Sequence, residues 1–423
     1  MSLETQKELE SAYVMHTFAR KPVEFVRGQG MLLYDAEGRE YLDFLSGIGV
    51  VSLGHSNPAL VAALQRQDEK LLHVSNYYYV EGRGEVARTL SGLLNACVAE
   101  ADRTPWKSFF TNSGAESNEC AIKLARLYAK KRAEAQVRAQ GGDDAAAAAA
   151  REGAPRTVVT LQKSFHGRTL ATLAATAQPA KQEAFQPLPG GFVATPANDV
   201  EALERLFADR GADICAVMVE CIQGESGVHP CTPEFLAKVR ELTERTGALM
   251  ICDEVQCGIY RCGTYPFGFQ HFGVQPDIVS MAKGIGSGIP MGVCAARAQV
   301  ADAFDPGDHG TTFGGSCLAV VAAACVLDRL GAEGVPERIA DVGDYLQQSL
   351  ADVVGVAGVR GIGLMVACDL DEGIDAHDVV NRGLEAGLVL NATGPSTLRF
   401  LPPLVCERRH VDVLVERLAK LLS

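Results

Sequence analysis

Three near-continuous apolar runs constrain this chain more than anything else in it: Cys215–Val219, Ala248–Cys252 and Ile278–Ala282. A strand with one solvated face alternates apolar and polar residues. A run without that alternation belongs to a parallel sheet covered on both faces. Between the first two runs, Thr232-Pro233 opens a helical pattern in FLAKVREL, with proline at the first helical position. Gly247 then closes it just before the next run. This helix-then-strand alternation predicts an α/β sheet. The runs end in Glu220, in Asp253-Glu254 and in Lys283. Ligands of open α/β sheets bind beyond the carboxyl ends of the strands, and a charge placed directly after a buried strand needs a partner or a task. Acids and a lysine are therefore expected to meet at one rim, although for any one of them alone an ordinary strand-end ion pair is the better explanation.

The pattern changes on either side of this stretch. Gly and Asp turn signals separate short apolar runs near the start (MLLYDAEGREYLDF, LGHSNP), and a helix is predicted from about Pro58 to Leu72. The expected organisation is an N-terminal segment, 1–76, packing with a small domain; a large α/β domain, 77–315; and a smaller α+β domain, 316–423, with strands such as GVRGIGLMVACDL. The segment from Ala133 to Pro155 contains GGDD and the alanine run Ala145–Ala150. It either extends a surface helix or is partly disordered, and it offers no group for chemistry.

A net charge of -13 over 423 residues argues against general affinity for nucleic-acid backbones or anionic lipid. The thirteen cysteines show no repeated CxxC or HxxxH spacing, so no zinc or other metal site is expected. Several lie inside apolar runs and read as reduced, buried thiols. The N-terminal stretch MSLETQKELESAYVMHTFARK lacks an apolar signal core. No stretch approaches the roughly 20 apolar residues of a membrane span. A soluble cytoplasmic protein without membrane or nucleic-acid partners is expected.

Lys283 sits in MAKGIGSGIP, where glycines let a ligand approach the backbone closely. A lysine at a desolvated strand end favours its neutral amine and can form an imine with an aldehyde. Pyridoxal phosphate is the aldehyde cofactor that fits. Its ring nitrogen needs a buried carboxylate, for which Asp253 is the candidate. Its phosphate needs N–H donors at a helix start. Ser113-Gly114-Ala115, opening the helical pattern of TNSGAESNECAIKLARLY, could supply them, although ordinary helix caps have the same composition. Phe165, in SFHGRT, could cover a ring face.

These residues resemble the class III (ornithine/acetylornithine) aminotransferases. The likeness is carried by PVEFVRGQGMLLYDAEGREYLDFLSGIGVVSLGH, TNSGAESNECAIKLAR, SFHGRTL, IQGESGV, CDEVQCGIYRCG, PDIVSMAKGIGSGIPMG, HGTTFGG and LRFLPPL, in the family's order from about residue 16 to residue 404. The resemblance implies the fold of type I pyridoxal-phosphate enzymes, with a large domain around a mostly parallel seven-stranded sheet and a smaller α+β domain. It implies that Lys283 carries the cofactor as a Schiff base and shuttles a proton, and that Asp253 pairs with the ring nitrogen. Gln256 would bond the ring hydroxyl. Val255 and Phe165 would cover the two ring faces, Ser113, Gly114 and Ala115 would bind the phosphate, and His166 and Glu220 would complete the surround. Thr312 would reach the phosphate of a neighbouring subunit in a homodimer with shared active sites. Arg168 would grip the carboxylate far from the reacting amine. Arg399 would take the α-carboxylate of glutamate or 2-oxoglutarate, and Glu225 would pair with Arg399 otherwise. Phe18 and Ile48 fall where ornithine-specific members usually carry tyrosines.

Losing a hydroxyl at Phe18 removes a partner for a free α-ammonium, which fits an acylated ornithine. The resemblance thus implies N2-acetylornithine as amino donor and 2-oxoglutarate as acceptor, a step of arginine biosynthesis. Ornithine, succinylornithine, succinyl-diaminopimelate and 4-aminobutyrate are the neighbouring alternatives. An aminomutase on the same scaffold, or a cofactor-binding protein without catalysis, would be a different class. The sequence departs from the family at Cys221, Ser226, Cys257, Tyr260, Cys262 and Ser316-Cys317. Of these, Tyr260 is the one expected to reshape the pocket entrance.

Overall fold

A computed structural model, describing residues 2–423, sets the three apolar runs side by side at the centre of one sheet. In chain order the strands are β1 (Phe25–Gln29), β2 (Leu32–Asp35), β3 (Glu40–Asp43), β4 (Trp106–Thr111), β5 (Thr157–Leu161), β6 (Phe192–Thr195), β7 (Ile214–Val219), β8 (Ile222–Gln223), β9 (His229–Pro230), β10 (Leu249–Asp253), β11 (Ile278–Met281), β12 (Gly292–Arg297), β13 (Val356–Ile362), β14 (Met365–Leu370), β15 (Leu388–Val389), β16 (Asn391–Ala392) and β17 (Thr397–Phe400). The large sheet has the order β4-β12-β11-β10-β7-β5-β6. It is parallel except for β12, which runs against both its neighbours. Every residue of β7, β10 and β11 is buried, which is why these strands read as unbroken apolar runs.

Register decides what the strand ends bring together. Cys252 lies opposite Val219, and Asp253 lies opposite Ser280. The residues that follow β7 and β11, Glu220 and Lys283, therefore emerge at the same edge as Asp253. The helix Pro233–Thr246 that leads into β10 is capped by Thr232, whose hydroxyl accepts from Phe235 N at 3.2 Å. It buries Phe235, Leu236, Val239 and Leu242 at helical spacing. Each such side chain contributes about 1.5–3 kcal/mol by leaving water, enough to hold the helix and the strand after it in place.

The predicted helix from Pro58 stops at Asp68 rather than Leu72, because Leu71 and Leu72 are exposed and offer no buried face to extend it. The alanine-rich segment is helical. The helix Gly114–Ala139 runs into a Gly141-Gly142 turn, and a second helix, Asp144–Glu152, folds back on it. Asp143 caps the second helix by accepting from Ala146 N at 2.8 Å, and Ala147 is fully buried between the two.

The remaining strands form two four-stranded sheets, β1-β2-β3-β15 and β13-β14-β17-β16. In the first, β15 comes from the far end of the chain and pairs in parallel with β3. Phe44 meets Phe400 edge-on at 6.3 Å, and Leu401 N donates to Phe44 O at 2.8 Å. The N-terminal strands are thereby joined to the strands that carry Arg399. Among the described residues no helix is long and apolar enough to cross a membrane, and no cluster of three or more metal-ligating side chains occurs.

Candidate active site

A cavity of about 450 Å³ opens at the carboxyl edge of the large sheet. Its walls include Ser113, Gly114, Ala115, Phe165, His166, Arg168, Glu220, Asp253, Val255, Gln256 and Lys283. These residues come from five separate stretches of sequence, brought together by strand register and by the loops that follow the strands.

Asp253 is the most firmly held of them. Its Oδ1 accepts from Val255 N at 3.0 Å, and its Oδ2 accepts from Asn118 Nδ2 at 2.7 Å and meets His166 Nδ1 at 2.7 Å. Burial works against a charged His166, but the hydrogen bond and charge of Asp253, with Glu220, outweigh it and raise the imidazole above its ordinary value. His166 Nδ1 is thus the proton donor to the carboxylate. Asn118 lies one helical turn after Gly114, and its Nδ2 also donates to His166 O at 2.7 Å. It was not among the residues expected from the sequence. Its place in TNSGAESNE, four positions beyond the helix start and on the same face, is the signal that could have found it.

Glu220 braces two loops. Its Oε1 accepts from Phe165 N at 2.8 Å and its Oε2 from Gly224 N at 3.2 Å. Burial pushes its carboxyl up to about 7, with His166 opposing and Asp253 adding. Glu254, the other acid at this strand end, turns the opposite way. It accepts from Gly268 N at 2.7 Å and Phe269 N at 2.8 Å, capping the short helix Gly268–Phe272 outside the cavity. Successive side chains of an extended strand point to opposite faces, so only one of the adjacent acids can serve the site.

Lys283 has φ +47, the left-handed region that costs a non-glycine residue energy and recurs at functional positions. Its ammonium has no hydrogen-bond or ion-pair partner among the described residues. Burial, and then the charge of Arg399, lower its proton affinity, while Asp253, Glu225 and Glu220 oppose. The amine is therefore biased toward its nucleophilic form.

Ser113 caps the helix Gly114–Ala139 by accepting from Glu116 N at 3.2 Å, and the first N–H groups of that helix have no intrahelical acceptor. A side chain at position 114 would bring its Cβ within 2.7 Å of Val255 Cγ1, so glycine is what lets this helix start press against the loop after β10. An anion cradle, a buried carboxylate held by three donors and an unpaired lysine share one cavity. That donor set fits pyridoxal phosphate, and His166 Nε2 and Asn118 Oδ1 remain buried without partners beside it.

Arg399, on β17, is 2% exposed. Its Nη1 donates to Gly224 O at 2.9 Å, to Glu225 Oε2 at 3.3 Å and to Gln256 Oε1 at 3.3 Å, and Asn391 Oδ1 takes its Nε and Nη2. A Cβ at Gly224 would stand 1.9 Å from Gln256 Oε1, so a larger residue there would push the Gln256 amide away from its place beside Arg399. Burial works against the charge of Glu225, but Arg399, then Lys181 and Lys283, hold its carboxyl below the ordinary value. Arg168 is exposed, borders the cavity and has no ion-pair partner among the described residues; its Cζ lies 5.5 Å from the Phe165 ring centroid.

Other expected site residues lie elsewhere in the chain. Phe18 is 73% exposed and borders a separate cavity formed by the N-terminal segment. Ile48 stands in the turn two residues before Val50, which does border the site. Thr312 lines a different cavity of about 900 Å³ together with Asn76, Tyr77 and His309. Tyr260 corrects an expectation: it is 5% exposed, packs in the core near Gly331 and does not border the pocket. The turn at Ile259-Tyr260, both with positive φ, carries the ring inward.

Comparison with known proteins agrees with this geometry. The class-III aminotransferase family profile matches residues 14–422. The acetylornithine aminotransferase of Methanocaldococcus jannaschii is 39% identical over 427 residues, covering 100% of this chain and 99% of its own. That of Aquifex aeolicus is 41% identical, covering 97% and 100%. Among solved structures, the ornithine aminotransferase of Toxoplasma gondii ME49 has a TM-score of 0.86 at 30% identity, over 100% of this chain and 95% of its own. The acetylornithine aminotransferase of Elizabethkingia anophelis has a TM-score of 0.82 at 30% identity, over 100% and 99%. Matched along its whole length and carrying a lysine, an acid and a helix start in one cavity, the chain belongs to the class-III aminotransferases, a family of pyridoxal-phosphate-dependent transaminases.

Proposed function

We propose that this chain moves the terminal amine of N2-acetylornithine to 2-oxoglutarate, giving N-acetylglutamate 5-semialdehyde and glutamate, with pyridoxal 5'-phosphate held in the cavity at the sheet edge. The observation that carries the reading is one paired arginine beside one free arginine. Arg399 is neutralised by Glu225 at 3.3 Å, while Arg168 has no carboxylate partner. A pocket set this way accepts a donor whose far end is a carboxylate and whose near end is uncharged. Releasing Glu225 from Arg399 then admits a dicarboxylate.

Pyridoxal phosphate, when bound, supplies an aldehyde carbon that accepts the amine and a ring that holds the electron pair released at the substrate carbon. The first N–H groups of the helix Gly114–Ala139, with Ser113, take the phosphate. Asp253, fixed by Asn118, His166 and Val255, holds the ring-nitrogen proton. Val255, Phe165 and Gln256 line the same cavity, where the first two would cover the ring faces and Gln256 would bond the ring oxygen. Lys283 Nζ would hold the cofactor's aldehyde carbon and, as an amine beside the reacting centre, would carry the proton that moves there.

The relatives named as acetylornithine aminotransferases, at 39% and 41% identity, support this donor. The ornithine aminotransferase of Toxoplasma gondii, at 30%, marks the nearest alternative. The experiment is kcat/KM for N2-acetylornithine, ornithine, N-succinylornithine, succinyl-diaminopimelate and 4-aminobutyrate, each with and without 2-oxoglutarate. N2-acetylornithine is expected to lead. A clear preference for 4-aminobutyrate overturns the donor, and turnover without the oxo acid overturns amino transfer between two substrates.

The reading includes a second copy of the chain. The cavity that holds Thr312 is bordered by Tyr77 and Tyr79, 95% and 102% exposed, with Phe313 next in sequence at 63%. Exposed aromatics grouped in this way mark an association surface, and a partner seated there would place its own Thr312 toward this site. Light scattering should give about twice 45.0 kDa; a monomer with full activity overturns the shared site.

A further inference from the structure

Lys181 stands outside the cavity, on the short helix Pro179–Gln182, in a stretch that offers no chemistry to sequence reading. Its Nζ lies 3.4 Å from Glu225 Oε1, while Arg399 Nη1 lies 3.3 Å from Glu225 Oε2. Two cations thus hold opposite oxygens of one carboxylate. Their freedom to move differs. Arg399 is almost fully buried, its remaining donors tied to Asn391 and Gly224. Glu225 is 30% exposed and stands in the loop between β8 and β9. Lys181 is 23% exposed, and its Nζ is also settled 4.8 Å from the Phe165 ring centroid. Glu225 is therefore the partner that moves.

We propose that Lys181 is a positioning residue, the cation that keeps Glu225 paired when Arg399 is drawn to a substrate carboxylate. The inference rests on the function proposed above and adds a residue to it. The charge count carries the argument. With an uncharged group near Arg399, two cations share Glu225. When a dicarboxylate arrives, its near carboxylate takes Arg399 and Glu225 closes on Lys181, giving two cations and two anions in separate pairs. Without Lys181, one guanidinium must serve two carboxylates in a partly desolvated space, and their mutual repulsion falls on the incoming substrate. Glu220 does not alter the count, since its oxygens are occupied by Phe165 N and Gly224 N. Arg168 is reserved for the far carboxylate.

The test uses the cofactor-loaded protein and glutarate, a dicarboxylate with no amine or oxo group to react, with affinity measured by calorimetry. Lys181→Met keeps the length of the side chain and removes its charge. It is expected to weaken glutarate binding about fivefold, or about 1 kcal/mol, the scale of one partly exposed ion pair. Lys181→Arg should restore the affinity, and Lys181→Gln should repeat the loss if the methionine variant folds poorly. In a Glu225→Gln background, where no carboxylate needs a second partner, Lys181→Met should have no further effect. Equal weakening in both backgrounds, or none in the first, overturns the positioning role. Failure of the unmodified protein to bind glutarate overturns the proposed function and this inference together.

Discussion

Replacing Asp253 by asparagine removes one charge with almost no change in shape, and the structure says what each readout should do. The carboxylate accepts from Val255 N, Asn118 Nδ2 and His166 Nδ1. An asparagine has a single acceptor oxygen. Turned toward Asn118 and His166, it leaves Val255 N facing an amide NH2; turned the other way, it strands two donors. The cheaper arrangement abandons one buried donor, so stability should fall by about 1–3 kcal/mol. The effect on chemistry should be larger, because the charge that holds the ring-nitrogen proton is gone. Loss of one preorganised electrostatic group at a reacting centre costs about 10²–10³-fold in kcat. Denaturant unfolding of the cofactor-free protein and steady-state kcat for acetylornithine and 2-oxoglutarate measure the two separately. Activity within about threefold of the original, alongside a measurable loss of stability, would refute the assignment of Asp253 to the ring nitrogen and leave it a structural acid.

Lys283→Ala should abolish the visible absorbance of the cofactor-loaded protein while leaving its far-ultraviolet circular dichroism intact; a persisting band assigns the covalent nitrogen elsewhere. Glu225→Gln frees Arg399 and should shift kcat/KM toward donors that carry a carboxylate beside the reacting amine, such as glutamate, by about tenfold relative to acetylornithine; an unchanged ratio denies Glu225 a role in selectivity. Glu254→Ala strands the N–H groups of Gly268 and Phe269 and should destabilise the fold by about 2–5 kcal/mol in denaturant unfolding, with kcat per folded molecule little changed. Burial pushes both Glu220 and Glu254 to about 7, above their ordinary 4.5, so the folded chain binds protons more tightly than the unfolded one. The contribution of these two acids to the stability of the cofactor-free protein should be lost as pH rises from about 4.5 to about 7. Glu254→Gln should make that loss smaller, and a slope unaffected by the substitution excludes Glu254 as its source.

The parts legible in the sequence are those set by local pattern. The runs ending in Glu220, Asp253 and Lys283 became β7, β10 and β11 within a residue, because full burial on both faces leaves an unbroken apolar signature. The Thr232 cap and Gly247 marked the intervening helix for equally local reasons. The reversed strand β12 was not legible, since GVCAAR is as apolar as its parallel neighbours and carries no mark of direction. Asp253 and Glu254 could not be told apart by composition; their opposite tasks follow from strand alternation once the strand end is known. Lys181 was invisible because PAKQEAF reads as a surface turn, and its partner lies 44 positions away. Phe18 and Thr312 were named through resemblance, and within one chain they stand apart from the cavity.

The parallel pairing of β15 with β3 has a consequence for synthesis. Leu388 and Val389 leave the ribosome roughly 345 residues after Leu42 and Asp43, the residues they pair with. At about 5–20 residues per second, the edge of β3 waits roughly 20–70 s for its permanent neighbour. The large sheet has all its strands by Arg297 and can form during that interval, while an open strand edge near the N-terminus is available to any other nascent chain. Until β15 arrives, pairing of that edge with another chain competes with its native pairing.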